Sequence, residues 1–181
     1  DLAPVLDYAE EINGSRYGKR VRFCPANILD DWPVGEKEFD LVILSNIVHA
    51  YGEAEITGVL KKAAACLKPE GFLLIHDFFF EHYQAKAALF DLNMLVNTWN
   101  GRVYPAAWVR DKLKKLGLVS TELLSLESDT ALVIASGNQE RLAGLSLDKK
   151  SQLAARIRHL GFRSVYPVSP DMVQVSDWTP V

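Results

Sequence analysis

The chain has 181 residues, 49% of them hydrophobic and 24% charged, enough to bury the core of one domain with a further piece appended. A formal charge of −3 gives no electrostatic footprint for nucleic acid or anionic lipid. No apolar run is long enough to span a bilayer, and no basic stretch leads into an apolar one.

The two cysteines, Cys24 and Cys66, have neither metal-ligand nor CxxC spacing and read as reduced small hydrophobes of a cytoplasmic protein. From Pro4 to Ile12, the residues Val5, Leu6, Ala9 and Ile12 recur at helical spacing, and Asn13-Gly14 is expected to close that helix. Val21 to Cys24 predicts a short alternating strand, and Asp30 to Glu38, with Pro33 and Gly35, a turn-rich connection. Phe39 to Leu44 is a nearly unbroken apolar run, as in a strand covered on both faces of a parallel sheet. It delivers Ser45, Asn46 and His49 at its carboxyl end, where open α/β sheets bind ligands.

Glu53 to Leu67 predicts an amphipathic helix with Ile56, Val59, Leu60, Ala63 and Leu67 on one face. Lys61 and Lys62 fall opposite and read as a solvated face without function. Lys68-Pro69-Glu70-Gly71 stops the helix, and Phe72 to Ile75 forms a buried strand ending at His76-Asp77. Gln84 to Thr98 is a helix with Ala88, Leu89, Leu92, Leu95 and Val96 expected inward. Pro105 to Leu116 is another, capped by Gly117. Strands over Val119–Leu126 and Ala131–Ala135 make a hairpin about Ser128-Asp129. This order predicts an α/β fold: a doubly wound, mostly parallel sheet with one antiparallel edge strand. Residues 1–137 form that domain. Residues 138–181 read as a linker, a helix at Leu147–Leu160 and a strand at Phe162–Val168, with no role assigned.

Several segments, in this order, resemble the class I S-adenosylmethionine-dependent methyltransferases, most closely the small-molecule O-methyltransferase family. They are Asp1-Leu2-Ala3-Pro4-Val5-Leu6, Phe23-Cys24-Pro25-Ala26-Asn27-Ile28-Leu29, the 39–49 strand with His49, Leu67-Lys68-Pro69-Glu70-Gly71-Phe72, and Phe90-Asp91-Leu92-Asn93-Met94-Leu95. The resemblance implies a Rossmann-like fold and methyl transfer from S-adenosylmethionine to a small, hydroxylated molecule. It places Asp1, with Leu2 beside it, on the cofactor's ribose hydroxyls, Asn27 on the adenine amino group and Ile28 against the adenine ring. His49 matches the general base and Asp77 the acid that orients it. Ser45 stands where plant members have a cofactor-contacting lysine.

The residues themselves leave rival readings open. Asn27 suits a turn, His49 a cap or the core, and Asp77 a strand-to-helix turn. Phe78, Met94 and Asn97 are candidate acceptor-site residues, Met94 being equally suited to filling the core. His76, Asp77 and His82 do not make a metal site, because His76 and Asp77 point to opposite faces of a strand.

Three departures from the family stand out. Ala50 follows His49 where plant members have aspartate, and Val103 replaces a second supporting glutamate. The family's glycine-rich loop, first strand and following helix would all precede Asp1. The chain is therefore expected to be an amino-terminally truncated piece whose open strand edges take a second copy or the missing segment. Two alternatives are a catalytically inactive scaffold that kept the fold, and another nucleotide-binding α/β protein such as a dehydrogenase.

Overall fold

The computed structural model describes residues 2–17, 21–126 and 128–145. Its sheet is built on the most apolar stretches of the chain. Strands β1 (Phe39–Ser45) and β2 (Leu67–Asp77) pair in parallel, and β5 (Ala131–Ser136) runs antiparallel along the other side of β2. The short strands β3 (Val119–Ser120) and β4 (Leu124–Ser125) both pair antiparallel with β5. Strands β1 to β4 therefore share one direction and β5 alone is reversed. It lies between β2 and β3, one place in from the rim where the sequence put it. The crossover between the parallel pair is α2 (Glu53–Cys66), the helical connection that parallel neighbours require.

Period-two alternation divides the sheet's residues between two layers. Val42, Leu44, Leu73, Ile75, Val133 and Ala135 face α2 and α4 (Ala106–Lys115), meeting Ile56, Val59, Leu60, Val109 and Leu113 in the main core. Leu74, Leu132 and Ile134 face the other way and pack with Leu126 and with Leu142 of α5 (Gln139–Ala143). Each fully buried side chain of this kind contributes about 1.5–3 kcal/mol. Gly117, at φ 78°, closes α4 as expected, since only glycine adopts that left-handed cap without strain.

Other expectations need correction. Residues 21–24 form no strand, and no described strand lies beside them to supply ladder bonds. Helix α1 (Ala3–Tyr17) runs past Asn13-Gly14, and its apolar residues Val5 and Ile12 are half exposed. The 119–126 strand breaks in two where Thr121 takes over the ladder: its N–H donates to the Ile134 carbonyl at 2.8 Å, and its Oγ1 accepts from the Ile134 N–H at 3.2 Å. Residues 138–145 are not simply a linker, because Asn138 Oδ1 accepts the Arg141 N–H at 3.0 Å and caps α5. The elements expected over 147–168 lie outside the described residues.

The largest reversal concerns α3 (Gln84–Asn97). Ala87 and Met94 are its buried residues, whereas Leu89, Leu92, Leu95 and Val96 are 57–74% exposed. This helix is apolar on both sides, so its periodicity cannot choose the inward one. At the sheet's rim, β1 has no outer neighbour among the described residues, and Leu41 and Ile43 stand 47% and 50% exposed.

Candidate active site

The polar residues that end β1 and β2 are gathered by one sharp turn. Asn46 leaves β1 in the left-handed region, at φ 55°, which asparagine tolerates better than most residues. Its N–H still donates to the His76 carbonyl at 2.9 Å, so the reversal begins from a fixed point. A 3₁₀ turn, Val48–Ala50, follows and carries His49.

His49 and Asp77 meet there. His49 Nδ1 lies 2.5 Å from Asp77 Oδ1, with the imidazole side chain 12% exposed and the carboxylate 1%. Asp77 is held by two further donors: Oδ2 accepts the Val48 N–H and Oδ1 the Phe78 N–H, each at 2.8 Å. A carboxylate only accepts, so Nδ1 carries a proton, and in the neutral imidazole the lone pair is then on Nε2. No described residue hydrogen-bonds Nε2. Phe90 of α3 stands edge-on to the ring at a centroid distance of 4.8 Å and Phe78 at 5.8 Å, the two phenyl rings stacked on each other at 3.7 Å.

The backbone of this turn is held from the 98–104 loop. The His49 carbonyl accepts the Arg102 N–H at 2.9 Å, and the Tyr51 carbonyl accepts the Tyr104 hydroxyl at 2.9 Å. Burial pushes the Tyr104 phenol up to about 12, so it remains a donor. Glu55 Oε2 accepts both the Gly52 N–H at 2.9 Å and Asn100 Nδ2 at 2.7 Å. A Cβ on Gly101 would stand 2.6 Å from the His49 carbonyl oxygen, which explains why glycine occupies that position. Val103, where the family's second glutamate is expected, is fully buried, and its N–H donates to Asp91 Oδ1 at 2.7 Å.

The same turn borders a cavity of about 560 Å³ lined by Leu2, Asn27, Ile28, Trp32, Ile47 and Tyr51, with residues of β1. Three expected cofactor residues, Leu2, Asn27 and Ile28, thus share one hollow, and Ile47 and Tyr51 flank His49 in sequence. Asn27 Oδ1 accepts the Leu29 N–H at 3.1 Å, the turn-forming bond open to its side chain, and keeps a second lone pair. Asp1 lies outside the described residues.

Ser45 is placed differently. Its hydroxyl pairs with His76 Nδ1 at 2.9 Å on the opposite layer, and His76 Nε2 reaches Thr130 Oγ1 at 2.7 Å. Burial depresses the His76 imidazole below its ordinary value, and the neighbouring Asp77 only partly opposes this. His82 bonds the Ser128 carbonyl through Nε2 at 2.7 Å. Of the acceptor candidates, Phe78 lies beside His49. Met94 is buried on the face of α3 that also carries Phe90. Asn97 is exposed and bonds back to Asn93 of its own helix. Phe90, Trp32, Ile47 and Tyr51 carry no chemical signature in the sequence. Only their contacts single them out.

Residues 1–75 match the family model described as a methyltransferase domain. An O-methyltransferase family protein from Burkholderia thailandensis is 30% identical with a TM-score of 0.66, the match covering 76% of this chain and 43% of that one. An O-methyltransferase family 2 protein from Planctomyces limnophilus, solved with apigenin, gives 23% identity, a TM-score of 0.65, and coverage of 76% and 41%. Human N-acetylserotonin methyltransferase, solved with S-adenosylmethionine, gives 20% identity, a TM-score of 0.64, and coverage of 76% and 39%. The chain thus spans about two fifths of the length of the solved structures it matches. No curated protein matches its sequence.

Proposed function

We propose that this chain, which has the class I methyltransferase fold and is similar to the O-methyltransferases, carries the core of a site that methylates a small hydroxylated molecule. The observation that carries the reading is the His49–Asp77 pair beside the Asn27–Ile28 cavity. When bound, S-adenosylmethionine supplies an electrophilic methyl group on sulfur. Ile28 and the apolar cavity walls would take the purine, Asn27 would accept from its amino group, and Asp1 and Leu2 would meet the ribose. Asp77 holds the Nδ1 proton, so Nε2 is free to receive the acceptor's hydroxyl proton. In such a transfer the oxygen–methyl bond would form as the sulfur–methyl bond broke, with that proton ending on Nε2. Phe78 and Phe90 present a flat apolar wall for the acceptor next to the imidazole.

Calorimetric titration of the chain with S-adenosylhomocysteine tests the reading. Binding is expected, with adenosine competing for the same site. A chain that folds yet shows neither heat nor a thermal shift would leave the inactive-scaffold reading, which the missing side chains at Ala50 and Val103 favour.

The partner at the β1 edge is read as a second strand, from another copy or from more of the same polypeptide, since half-exposed Leu41 and Ile43 on a strand with no outer neighbour among the described residues favour strand addition. Sedimentation of the 181-residue chain should show concentration-dependent association. A stable monomer at all concentrations would refute it. The buried thiol of Cys66 suits a reducing, cytoplasmic setting, and no helix among the described residues is long and apolar enough to cross a membrane.

A further inference from the structure

The turn that bears Asn27 and Ile28 has little structure of its own. Residues 21–27 belong to no helix or strand, and the local bonds at 27–30 are the Leu29 N–H to Asn27 Oδ1 at 3.1 Å and the Asp30 N–H to the Asn27 carbonyl at 3.1 Å. Yet a purine site needs these residues held still, because a wall that must order on binding subtracts that cost from affinity.

One side chain reaches the turn from a rigid element. Lys62, on α2, donates from Nζ to the Ile28 carbonyl at 2.6 Å and to the Asp30 carbonyl at 2.5 Å. The Ile28 carbonyl also accepts the indole N–H of Trp32 at 2.9 Å, and the Lys62 ammonium stands 5.5 Å from the centre of that indole. Among the described residues, no other side chain from outside residues 26–34 hydrogen-bonds to them. The opposite face of α2, with Ile56, Val59, Leu60 and Ala63 at 0% exposure, is fixed in the core. The ammonium is therefore an anchor held on a rigid support.

We propose that Lys62 is a positioning residue for the purine half of the cofactor site, locking the 27–32 turn and the Trp32 wall through the Ile28 and Asp30 carbonyls. This rests on the reading of that cavity as the adenosine site. It also gives Lys62 a task that its place on the polar face of an amphipathic helix conceals. Its neighbour Lys61 is exposed and has no such contact, so the two lysines separate a tether from a solvated side chain.

The test uses the chain with three substitutions. Lys62→Met keeps the stem and removes the donor, Lys62→Arg restores a cation able to reach two carbonyls, and Lys61→Met is the control. Affinity for S-adenosylhomocysteine is read by calorimetry. The Trp32 indole N–H is read by nitrogen-resolved NMR without ligand, assigned with Trp32→Phe. Lys62→Met is expected to weaken binding about tenfold, the size of one charge-assisted hydrogen bond. It should also shift the Trp32 indole signal and speed its exchange, with Lys62→Arg recovering most of both and Lys61→Met changing neither. Unaltered affinity and an unmoved indole signal in Lys62→Met would overturn the proposal, as would equal losses in Lys62→Met and Lys62→Arg. If the unsubstituted chain binds no S-adenosylhomocysteine, the methyltransferase reading falls separately. The ligand-free indole signal then decides whether the tether exists.

Discussion

Alanine in place of His49 is expected to lower methyl transfer by about 10²–10⁴-fold while leaving affinity for S-adenosylhomocysteine close to that of the unaltered chain. On the proposed reading the imidazole receives the acceptor's proton, whereas the cavity residues Asn27, Ile28 and Trp32 do not depend on its ring. Asp77 would keep two of its three hydrogen bonds, those from the Val48 and Phe78 amides, so the melting temperature should fall only modestly. Added imidazole, entering the space vacated at the edge of the stacked Phe78 and Phe90 rings, should recover part of the rate. The readout is turnover at saturating cofactor, beside calorimetric binding. Full turnover in His49→Ala would remove the general-base assignment without touching the cofactor site.

Removing the Asp77 carboxylate is expected to damage both stability and chemistry. Asp77→Ala leaves the His49 Nδ1 proton and the Val48 and Phe78 N–H groups without their acceptor at a site of 0% exposure. A loss of about 3–4 kcal/mol is expected, each orphaned donor costing about 1–3 and water recovering some of it. Asp77→Asn separates the two effects. Its amide oxygen can still accept from one backbone donor, so stability falls less. Its NH₂ then faces Nδ1, drives the imidazole proton to Nε2, and removes the lone pair that transfer requires. Urea unfolding measures the first effect and the nitrogen shifts of the His49 ring the second. An unchanged Nδ1–H tautomer in Asp77→Asn would show that the carboxylate does not orient the base.

Much of this arrangement is legible in the sequence because it depends on local patterns. The apolar run of β1, the amphipathic α2 and the Gly117 cap each follow from periodicity or from a single backbone requirement. His49 is visible because it follows a buried apolar strand, and Asp77 as its partner through the family resemblance. What escapes the sequence is whatever depends on the side an element turns to its neighbours. Helix α3 offers two apolar faces, and only its packing selects the one with Ala87 and Met94. Lys61 and Lys62 are indistinguishable as residues; the second differs only in having two carbonyls within reach. Residues 21–24 have the alternation of a strand but no described partner to pair with. Phe90 becomes a site residue solely through its contact with the imidazole.

The pairing of β1 with β2 jumps from Phe39–Leu67 to Leu41–Phe72, so residues 68–71 bow out of the ladder before it resumes. Beyond that bow, neighbouring positions alternate between layers, and His76 and Asp77 are sorted to opposite sides by one step of the pleat. A slip of a single residue would exchange them, burying imidazole where the acid belongs. The bow is where such an error is absorbed. Lys68, Pro69 and Glu70 face solvent, so a residue gained or lost there changes the size of an outward excursion. The identity of the group beneath His49 is thereby insulated from drift in the length of the loop that precedes it.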